Sequence, residues 1–160
     1  MKNVFTFLLL LFSLLCNGQS PKLFTTDKEL SSSLINQIYQ DRNGFIWIAT
    51  EDGLNRYDGL SYRVYKKENS GLGKNFITAL YEDHEGNIWI GTDGGVFIYN
   101  PVLDSFTAFN QTSDKGTVIK DFVTMIGSDE YDNIWISVEN QGLFCYNHEK
   151  RLWNYLHDSG

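Results

Sequence analysis

The stretch DHEGNIWIGTDGGVFIY at residues 83–99 is one of three related copies of a motif in this 160-residue chain. The first copy, residues 41–57, reads DRNGFIWIATEDGLNRY. The third, residues 129–146, reads DEYDNIWISVENQGLFCY and has one extra residue before its glycine. The copies are 42 and 46 residues apart, measured between their tryptophans Trp47, Trp89 and Trp135. A near-constant period of this size predicts a repeat architecture.

The similarity between the copies extends beyond this motif on both sides. An apolar pair lies twelve and nine residues before each tryptophan: Ile35 and Ile38, Ile77 and Leu80, Val123 and Ile126. An aspartate lies six residues before it: Asp41, Asp83 and Asp129. A second pair of large apolar residues follows the motif: Tyr62 and Tyr65, Phe106 and Phe109, Trp153 and Leu156.

Each repeat is predicted to form four short antiparallel strands, which in the second copy are residues 76–82, 87–92, 96–100 and 105–110. Their β-branched and aromatic residues favour strands, and turn residues separate them. The unbroken apolar run Ile88-Trp89-Ile90 indicates a strand that is buried on both faces. Radial stacking of such sheets produces a β-propeller, so we predict an all-β fold of three four-stranded blades in an incomplete ring.

The repeated polar and glycine residues are predicted to be structural. The aspartate of the first turn can accept hydrogen bonds from backbone N–H groups two or three residues on. Glycine tolerates positive φ in both turns, whereas Asp132, which replaces the first-turn glycine in copy three, tolerates it less well. The predicted structural residues are Asp41, Gly44, Trp47, Gly53, Asp83, Gly86, Trp89, Gly95, Asp129, Trp135 and Gly142.

Residues 1–18 are predicted to be a secretory signal peptide. Lys2 supplies the positive end, residues 4–15 are apolar, and cleavage is expected after Gly18. The alternatives are an uncleaved anchor and lipoprotein processing at Cys16, although Leu15 before that cysteine fits a lipobox poorly. The mature protein is therefore expected to be periplasmic or extracellular, with no membrane contact after cleavage.

The remaining chain divides into a lead-in at residues 19–33 and repeats at 34–66, 67–110 and 111–160. The lead-in is predicted to supply a ring-closing outer strand through Leu23 and Phe24, and a loose linker is the alternative. Residues 111–121 form a longer polar loop. Cys145, the only cysteine of the mature chain, is expected to be buried in a strand.

Charge and composition exclude several functions. The formal net charge of −7 argues against nucleic acid or an anionic membrane as a partner. The three histidines, His84, His148 and His157, have no metal-site spacing. No catalytic motif is present, so we predict no catalytic residues, no metal and no cofactor, and a glycosidase or lyase is disfavoured.

These residues resemble the two-component regulator propeller repeat, whose pattern is close to I-x-x-I-x-x-D-x-x-G-x-I-W-I-G-T-x-x-G-L-x-x-Y. Copy two matches from Ile77 to Tyr99, and copy one matches from Ile35 to Tyr57 with Ala49 at a family glycine. Copy three departs most, at Asp132, at Ser137-Val138 and at the inserted Gln141. The resemblance implies a periplasmic sensor of a Bacteroidetes-type hybrid two-component system. It also implies a glycan-derived signal, a seven-bladed ring and a following membrane helix and histidine kinase.

The predicted function is therefore extracytoplasmic ligand sensing without catalysis, and a secreted protein-interaction scaffold is the alternative. Candidate ligand contacts lie in the second turn of each repeat, which we call the acidic rim: Glu51, Asp52, Asp93, Glu139 and Asn140. Their side chains can bind sugar hydroxyls of an oligosaccharide, and a merely solvated rim is the alternative. Because three blades do not close a ring, the partners expected are the remaining blades of a longer chain or a second copy.

Overall fold

The computed structural model describes residues 30–147 and 149–156, the last three of these for their backbone only. The predicted signal peptide and the proposed closing strand with Leu23 and Phe24 lie outside the described residues, as do His148 and His157. The part of the lead-in that is described, from Leu30 to Ser33, is not in a strand.

The described residues form strands and no helix. The strands are β1 (Ile35–Gln40), β2 (Ile46–Thr50), β3 (Gly53–Tyr57), β4 (Tyr62–Tyr65), β5 (Ile77–Glu82), β6 (Ile88–Thr92), β7 (Gly95–Asn100), β8 (Ser105–Ala108), β9 (Val123–Ser128), β10 (Ile134–Val138), β11 (Gly142–Tyr146) and β12 (Leu152–Leu156). They form three four-stranded sheets in sequence order, β1–β4, β5–β8 and β9–β12, here called blades 1, 2 and 3. All pairings within the blades are antiparallel. The all-β, four-stranded prediction is confirmed, and the strand ends of the second repeat lie within two residues of those predicted.

Neighbouring blades pack through their inner strands. Strands β1 and β2 contact β5 at junction 1–2, and strands β5 and β6 contact β9 at junction 2–3. All five residues of β6 are buried, as expected for a strand with a sheet on each side. The three sheets do not close into a ring.

Each junction has its own hydrophobic core. At junction 1–2 the buried residues are Trp47, Ala49, Leu54, Tyr65, Leu72, Ile77, Leu80, Ile88, Ile90 and Tyr99. At junction 2–3 they are Ala79, Trp89, Val96, Phe109, Ile119, Val123, Ile126, Ile134, Ile136, Val138, Phe144 and Leu152. The repeated tryptophans lie in these cores: Trp47 is fully buried and Trp89 is 3% exposed. Trp135, by contrast, is only half-buried, because no further blade follows blade 3 in the described residues.

The two outer faces of the stack expose residues that are buried in the repeats next to them. Ile35 and Ile38 of blade 1 are 44% and 60% exposed, whereas their equivalents in blade 2, Ile77 and Leu80, are buried. At the other end, Met125 of blade 3 is 67% exposed, whereas its equivalent Ala79 is buried. The inner-strand apolar pair of a blade therefore packs against the blade that precedes it.

The long loop at residues 111–121 is more structured than its polar composition indicates. Thr112 forms a β-bridge with Val118, and Ile119 is 4% exposed within the core of junction 2–3. The extra residue of the third repeat, Gln141, forms hydrogen bonds to the backbone of this loop. Its side chain donates to the Val118 carbonyl at 3.0 Å and accepts from the Lys120 N–H at 3.0 Å. The loop is polar and mostly exposed, as predicted, but the prediction missed that Ile119 is a core residue.

Candidate ligand-binding rim

The first turn of each repeat is closed by its aspartate. In blade 2 the Asp83 Oδ1 atom accepts hydrogen bonds from the N–H groups of Glu85 at 3.0 Å and Asn87 at 2.8 Å. The Oδ2 atom accepts from the Trp89 indole Nε1 at 2.9 Å. The donors thus lie two and four residues on, together with an indole six residues on. The donor two residues on was predicted, whereas the second donor lies four residues on instead of three. The indole partner was missed, although the fixed Asp-to-Trp spacing was its signal.

The same arrangement recurs in the other two blades. The Asp41 and Asp129 carboxylates accept from their tryptophan indoles at 2.8 and 2.9 Å. Hydrogen bonds from Asn133 and Trp135 lower the pKa of Asp129 to about 2. Asp132 adopts φ of 60°, the left-handed conformation that Gly86 adopts with φ of 88° in blade 2. These aspartates are therefore occupied by the fold and are poor candidates for ligand contacts.

The second turns lie at the opposite end of the strands from the first turns. They join β2 to β3, β6 to β7 and β10 to β11. Their glycines adopt positive φ as predicted: Gly53, Gly95 and Gly142. All five predicted residues of the acidic rim are exposed: Glu51, Asp52, Asp93, Glu139 and Asn140.

The backbone of the acidic rim is held in the same way in every blade. An N–H group of the second turn donates to a carbonyl just before the inner strand. The three bonds are Glu51 to Leu34 at 3.2 Å, Asp93 to Phe76 at 3.3 Å, and Glu139 to Phe122 at 2.8 Å. The rim side chains therefore extend from a fixed backbone.

The rim carboxylates of blades 1 and 2 lie near lysines. The Asp52 Oδ2 atom is 2.6 Å from the Lys66 Nζ atom, and this contact lowers the pKa of Asp52. The Asp93 Oδ1 atom is 4.0 Å from the Lys74 Nζ atom. In the described part of the chain, no hydrogen bond or ion pair joins rim side chains of different blades. The rim thus presents separate acidic groups with adjacent cations, rather than one preassembled cluster.

The described residues also bear on metal binding, thiol reactivity and membrane spanning. Among the described residues, no three His, Cys, Asp or Glu side chains come together in a way that would hold a metal ion. Cys145 is buried, and burial raises the pKa of its thiol, as expected for an unreactive cysteine. No helix long and apolar enough to cross a membrane occurs in the described ranges.

Comparison with known proteins agrees with this architecture. Residues 29–52 and 71–94 match the family described as two component regulator propeller. The extracellular domain of the putative hybrid two component system BT3049 from B. thetaiotaomicron is 26% identical, with a TM-score of 0.75. The match covers 86% of this chain and 20% of that domain. The extracellular domain of BT4673 from the same organism, 24% identical with a TM-score of 0.69, shares the fold over 82% of this chain and 19% of its own.

A curated relative supports the same assignment. Histidine kinase P4 from Formosa agariphila is 37% identical over 73 residues, which is 41% of this chain and 5% of the kinase. The chain therefore spans about one fifth of the structural relatives and a small part of the kinase. The repeated aspartate–tryptophan turns, the four-stranded blades and these matches agree: the first two repeats match the two-component regulator propeller family, and the three blades share the fold of the extracellular domains of putative hybrid two component systems.

Proposed function

We propose that the chain forms part of the extracytoplasmic, ligand-sensing propeller of a two-component sensor and has no catalysis of its own. The observation that carries this proposal is the similarity to the extracellular domain of a hybrid two-component system across 86% of the chain. The repeated aspartates are held by hydrogen bonds to the indoles of their own turns, which agrees with a structural role for them and not a catalytic one. The exported location expected from residues 1–18 is part of the same proposal.

The ligand we propose is a glycan-derived molecule that binds at the acidic rim. Exposed carboxylate and amide groups such as Glu51, Asp93 and Asn140 accept and donate hydrogen bonds suited to sugar hydroxyls. Their turns have a fixed backbone, which reduces the entropy lost on binding.

Oligosaccharide binding by the whole chain tests this proposal. A panel of oligosaccharides is screened on an array, and hits are titrated by calorimetry. The test variant converts the four rim carboxylates to amides: Glu51→Gln, Asp52→Asn, Asp93→Asn and Glu139→Gln. We expect it to weaken binding by about tenfold or more, because charged acceptors make the stronger hydrogen bonds. The matched control, Glu130→Gln at the other end of blade 3, should bind normally. Absence of any oligosaccharide ligand, or equal binding by the rim variant, contradicts the proposal.

The proposal also requires partners for the two outer faces of the stack. Ile35 and Ile38 at one end and Met125 at the other occupy positions that are buried between blades elsewhere. We propose that the remaining blades of a longer chain, or a second copy, cover them. Light scattering and thermal melting of residues 19–160 test this: association or poor stability is expected. A monomer with a sharply cooperative melt contradicts it.

The scaffold alternative makes a different prediction for the same measurements. A propeller that acts only through protein contacts should bind no oligosaccharide. Its association should not change when the rim carboxylates are converted to amides, but should weaken when Ile38 is replaced by a charged residue. Oligosaccharide binding that depends on the rim therefore separates the two functions.

A further inference from the structure

A cleft of about 440 Å³ lies between blades 2 and 3, at the end of the strands opposite the acidic rim. The residues that line it include Ile98 and three aromatic side chains, of which Tyr146 is half-buried and Trp89 and Phe109 are buried. The Trp89 ring centroid is 5.1 Å from that of Phe109 and 5.6 Å from that of Tyr146, and the last two are 5.1 Å apart. We call this the open cleft.

Junction 1–2 has an equivalent cleft, and a side chain of the protein, that of Arg56, occupies part of it. The same repeat positions supply Trp47, Tyr65 and Tyr99, and Phe45 adds a fourth ring. The guanidinium carbon of Arg56 lies 4.7 Å from the Phe45 centroid and 5.6 Å from that of Trp47. It is also 5.9 and 6.0 Å from the centroids of Tyr65 and Tyr99. These distances are within the range of cation–π attraction.

The strand register shows which residue replaces Arg56 at the open cleft. Arg56 lies opposite Trp47 in the β2–β3 pair, and Ile98 lies opposite Trp89 in the β6–β7 pair. Isoleucine is shorter than arginine and has no charge or hydrogen-bond donor. The whole cleft is also larger at this junction, about 440 Å³ against about 280 Å³ at junction 1–2.

The charges around the open cleft favour a cation. Three acidic residues line it, Asp83, Glu85 and Asp132, and Lys150 supplies one positive charge. The Asp83 carboxylate is hydrogen-bonded within its own turn, so it acts on a bound cation only through its charge. Burial raises the pKa of Tyr146, and the Glu85 carboxylate raises it further, so the negative potential reaches that hydroxyl.

Arg56 also shows how a guanidinium group is oriented at such a site. Its Nη1 atom donates to the Tyr99 hydroxyl at 2.7 Å. Tyr146 is the equivalent tyrosine at the open cleft, and it is half-buried. Junction 2–3 therefore has the equivalent tyrosine hydroxyl and aromatic rings, but no arginine at the position of Arg56.

We propose that the open cleft binds a small molecule through a guanidinium group, which packs over Trp89, Phe109 and Tyr146 and donates to the Tyr146 hydroxyl. This site is distinct from the acidic rim, since the two lie at opposite ends of the blades. It takes a cation, whereas the rim is proposed to take neutral sugar hydroxyls.

The first test uses n-propylguanidinium, which reproduces the Arg56 side chain beyond its Cα atom, and n-propylurea as its neutral counterpart. Both are titrated into the whole chain and followed by calorimetry and tryptophan fluorescence. We expect saturable binding of n-propylguanidinium, about tenfold tighter than n-propylurea, from cation–π attraction and the acidic surroundings. Equal affinities for the two probes, or no binding of n-propylguanidinium, overturn the proposal.

Two variants test the location by exchanging the residues that distinguish the clefts. Ile98→Arg should fill the open cleft from within and abolish binding of n-propylguanidinium. Arg56→Ile should empty the other cleft and raise the stoichiometry from one site to two. Circular dichroism checks that each variant folds. Undiminished binding by a folded Ile98→Arg protein overturns the proposal.

Two milder variants keep the test informative if Ile98→Arg fails to fold. Glu85→Gln removes one carboxylate and should weaken n-propylguanidinium binding severalfold while leaving n-propylurea unchanged. Lys150→Met removes the competing ammonium and should strengthen binding of the cation. Weaker binding by Lys150→Met would show that the cleft prefers an anion and would overturn the proposal. The rim variant should bind n-propylguanidinium normally, so failure of this site and failure of the proposed sensing function are distinguishable.

Discussion

The two blade junctions share one motif but are held together differently. At junction 1–2 the side-chain amide of Gln37 donates to the Leu80 carbonyl at 3.0 Å and accepts from the Leu80 N–H at 2.7 Å. Asn36 donates to the Ile77 carbonyl at 2.7 Å. The same positions at junction 2–3 are Ala79, which packs in the core, and Thr78, whose buried hydroxyl has no hydrogen-bond partner among the described residues.

The two junctions also differ in the charged side chains that cross them. The Arg42 Nε atom lies 2.6 Å from the Glu82 Oε1 atom, and its other nitrogens donate to the carbonyls of Asp83 and His84. At junction 2–3 Ser128 takes the place of Glu82 and accepts a hydrogen bond from the Tyr81 hydroxyl at 2.6 Å, as Glu82 does from the Tyr39 hydroxyl at 3.3 Å. The motif residues build equivalent blades, and the residues between them decide how each junction is filled. Junction 1–2 therefore adds polar and charged contacts to its hydrophobic core, whereas junction 2–3 has fewer such contacts and keeps an open cleft.

The largest expected effect is loss of a tryptophan from either junction. Trp47→Ala and Trp89→Ala should each lower the free energy of unfolding by about 3–5 kcal/mol, since each removes a buried ring and leaves a cavity. Trp135→Ala should cost less, about 1–2 kcal/mol, because that ring is half-buried. Urea unfolding measures all three.

This first prediction also separates packing from binding. A cost below about 1 kcal/mol for Trp89→Ala, together with loss of ligand binding, would identify Trp89 as a binding platform instead of a core residue. A cost for Trp135→Ala equal to the other two would show that its outer face is covered in solution.

The next effect concerns Arg42 and Glu82, one of the two ion pairs that cross junction 1–2; among the described residues no ion pair crosses junction 2–3. Arg42→Ala removes the partner of Glu82, whose side chain is 5% exposed, and leaves its carboxylate with weaker contacts. We expect a loss of about 2–3 kcal/mol in the free energy of unfolding. Ser128→Ala at junction 2–3 is the matched control and should cost about 1 kcal/mol or less. Equal losses would show that the two junctions do not differ in this way.

The sequence predicted the parts of this molecule that repeat. The period, the aspartate turn, the glycine positions and the burial of Trp47 and Trp89 follow from local chemistry that is present in every copy. The open cleft was not predicted, because its residues come from two blades and meet only after packing. The difference between Arg56 and Ile98 is visible in aligned copies, but its meaning depends on the surrounding rings. The burial of Ile119 was also not predicted, because the polar composition of its loop indicated solvent exposure. The acidic rim stays a prediction.

A smaller effect on stability is expected at Gly91 of blade 2, where blade 3 lies too close to leave room for a side chain. A Cβ atom added at Gly91 would lie 2.7 Å from the Val123 Cγ1 atom and 3.0 Å from the Thr78 Oγ1 atom. Gly91→Ala should therefore cost about 1–3 kcal/mol in unfolding free energy through overpacking of junction 2–3. At junction 1–2 the equivalent residue is Ala49, which is fully buried and accommodated. An unchanged melting temperature for Gly91→Ala would show that blade 3 can shift away from blade 2.

The smallest expected effect involves Asp129, in the first turn of blade 3. Its pKa in the folded protein is lowered to about 2 from an ordinary value of 3.8, mainly by the hydrogen bond from Asn133 and then that from Trp135. Since the folded pKa is the lower one, the stabilisation is complete above about pH 4 and is lost as the pH falls through about 2. Carboxyl-carbon NMR titration should place the Asp129 midpoint near pH 2.

Asp129→Asn is the matched control for this titration, because it should remove that part of the acid dependence from the unfolding free energy. Asn133→Ala deletes the largest contributor and should move the Asp129 midpoint upward. If the midpoint is ordinary in the unmodified chain, the aspartate turn of blade 3 is open in solution. In that case the first turn of blade 3 would differ in structure from the first turns of blades 1 and 2, although all three share the aspartate–tryptophan hydrogen bond in the structure.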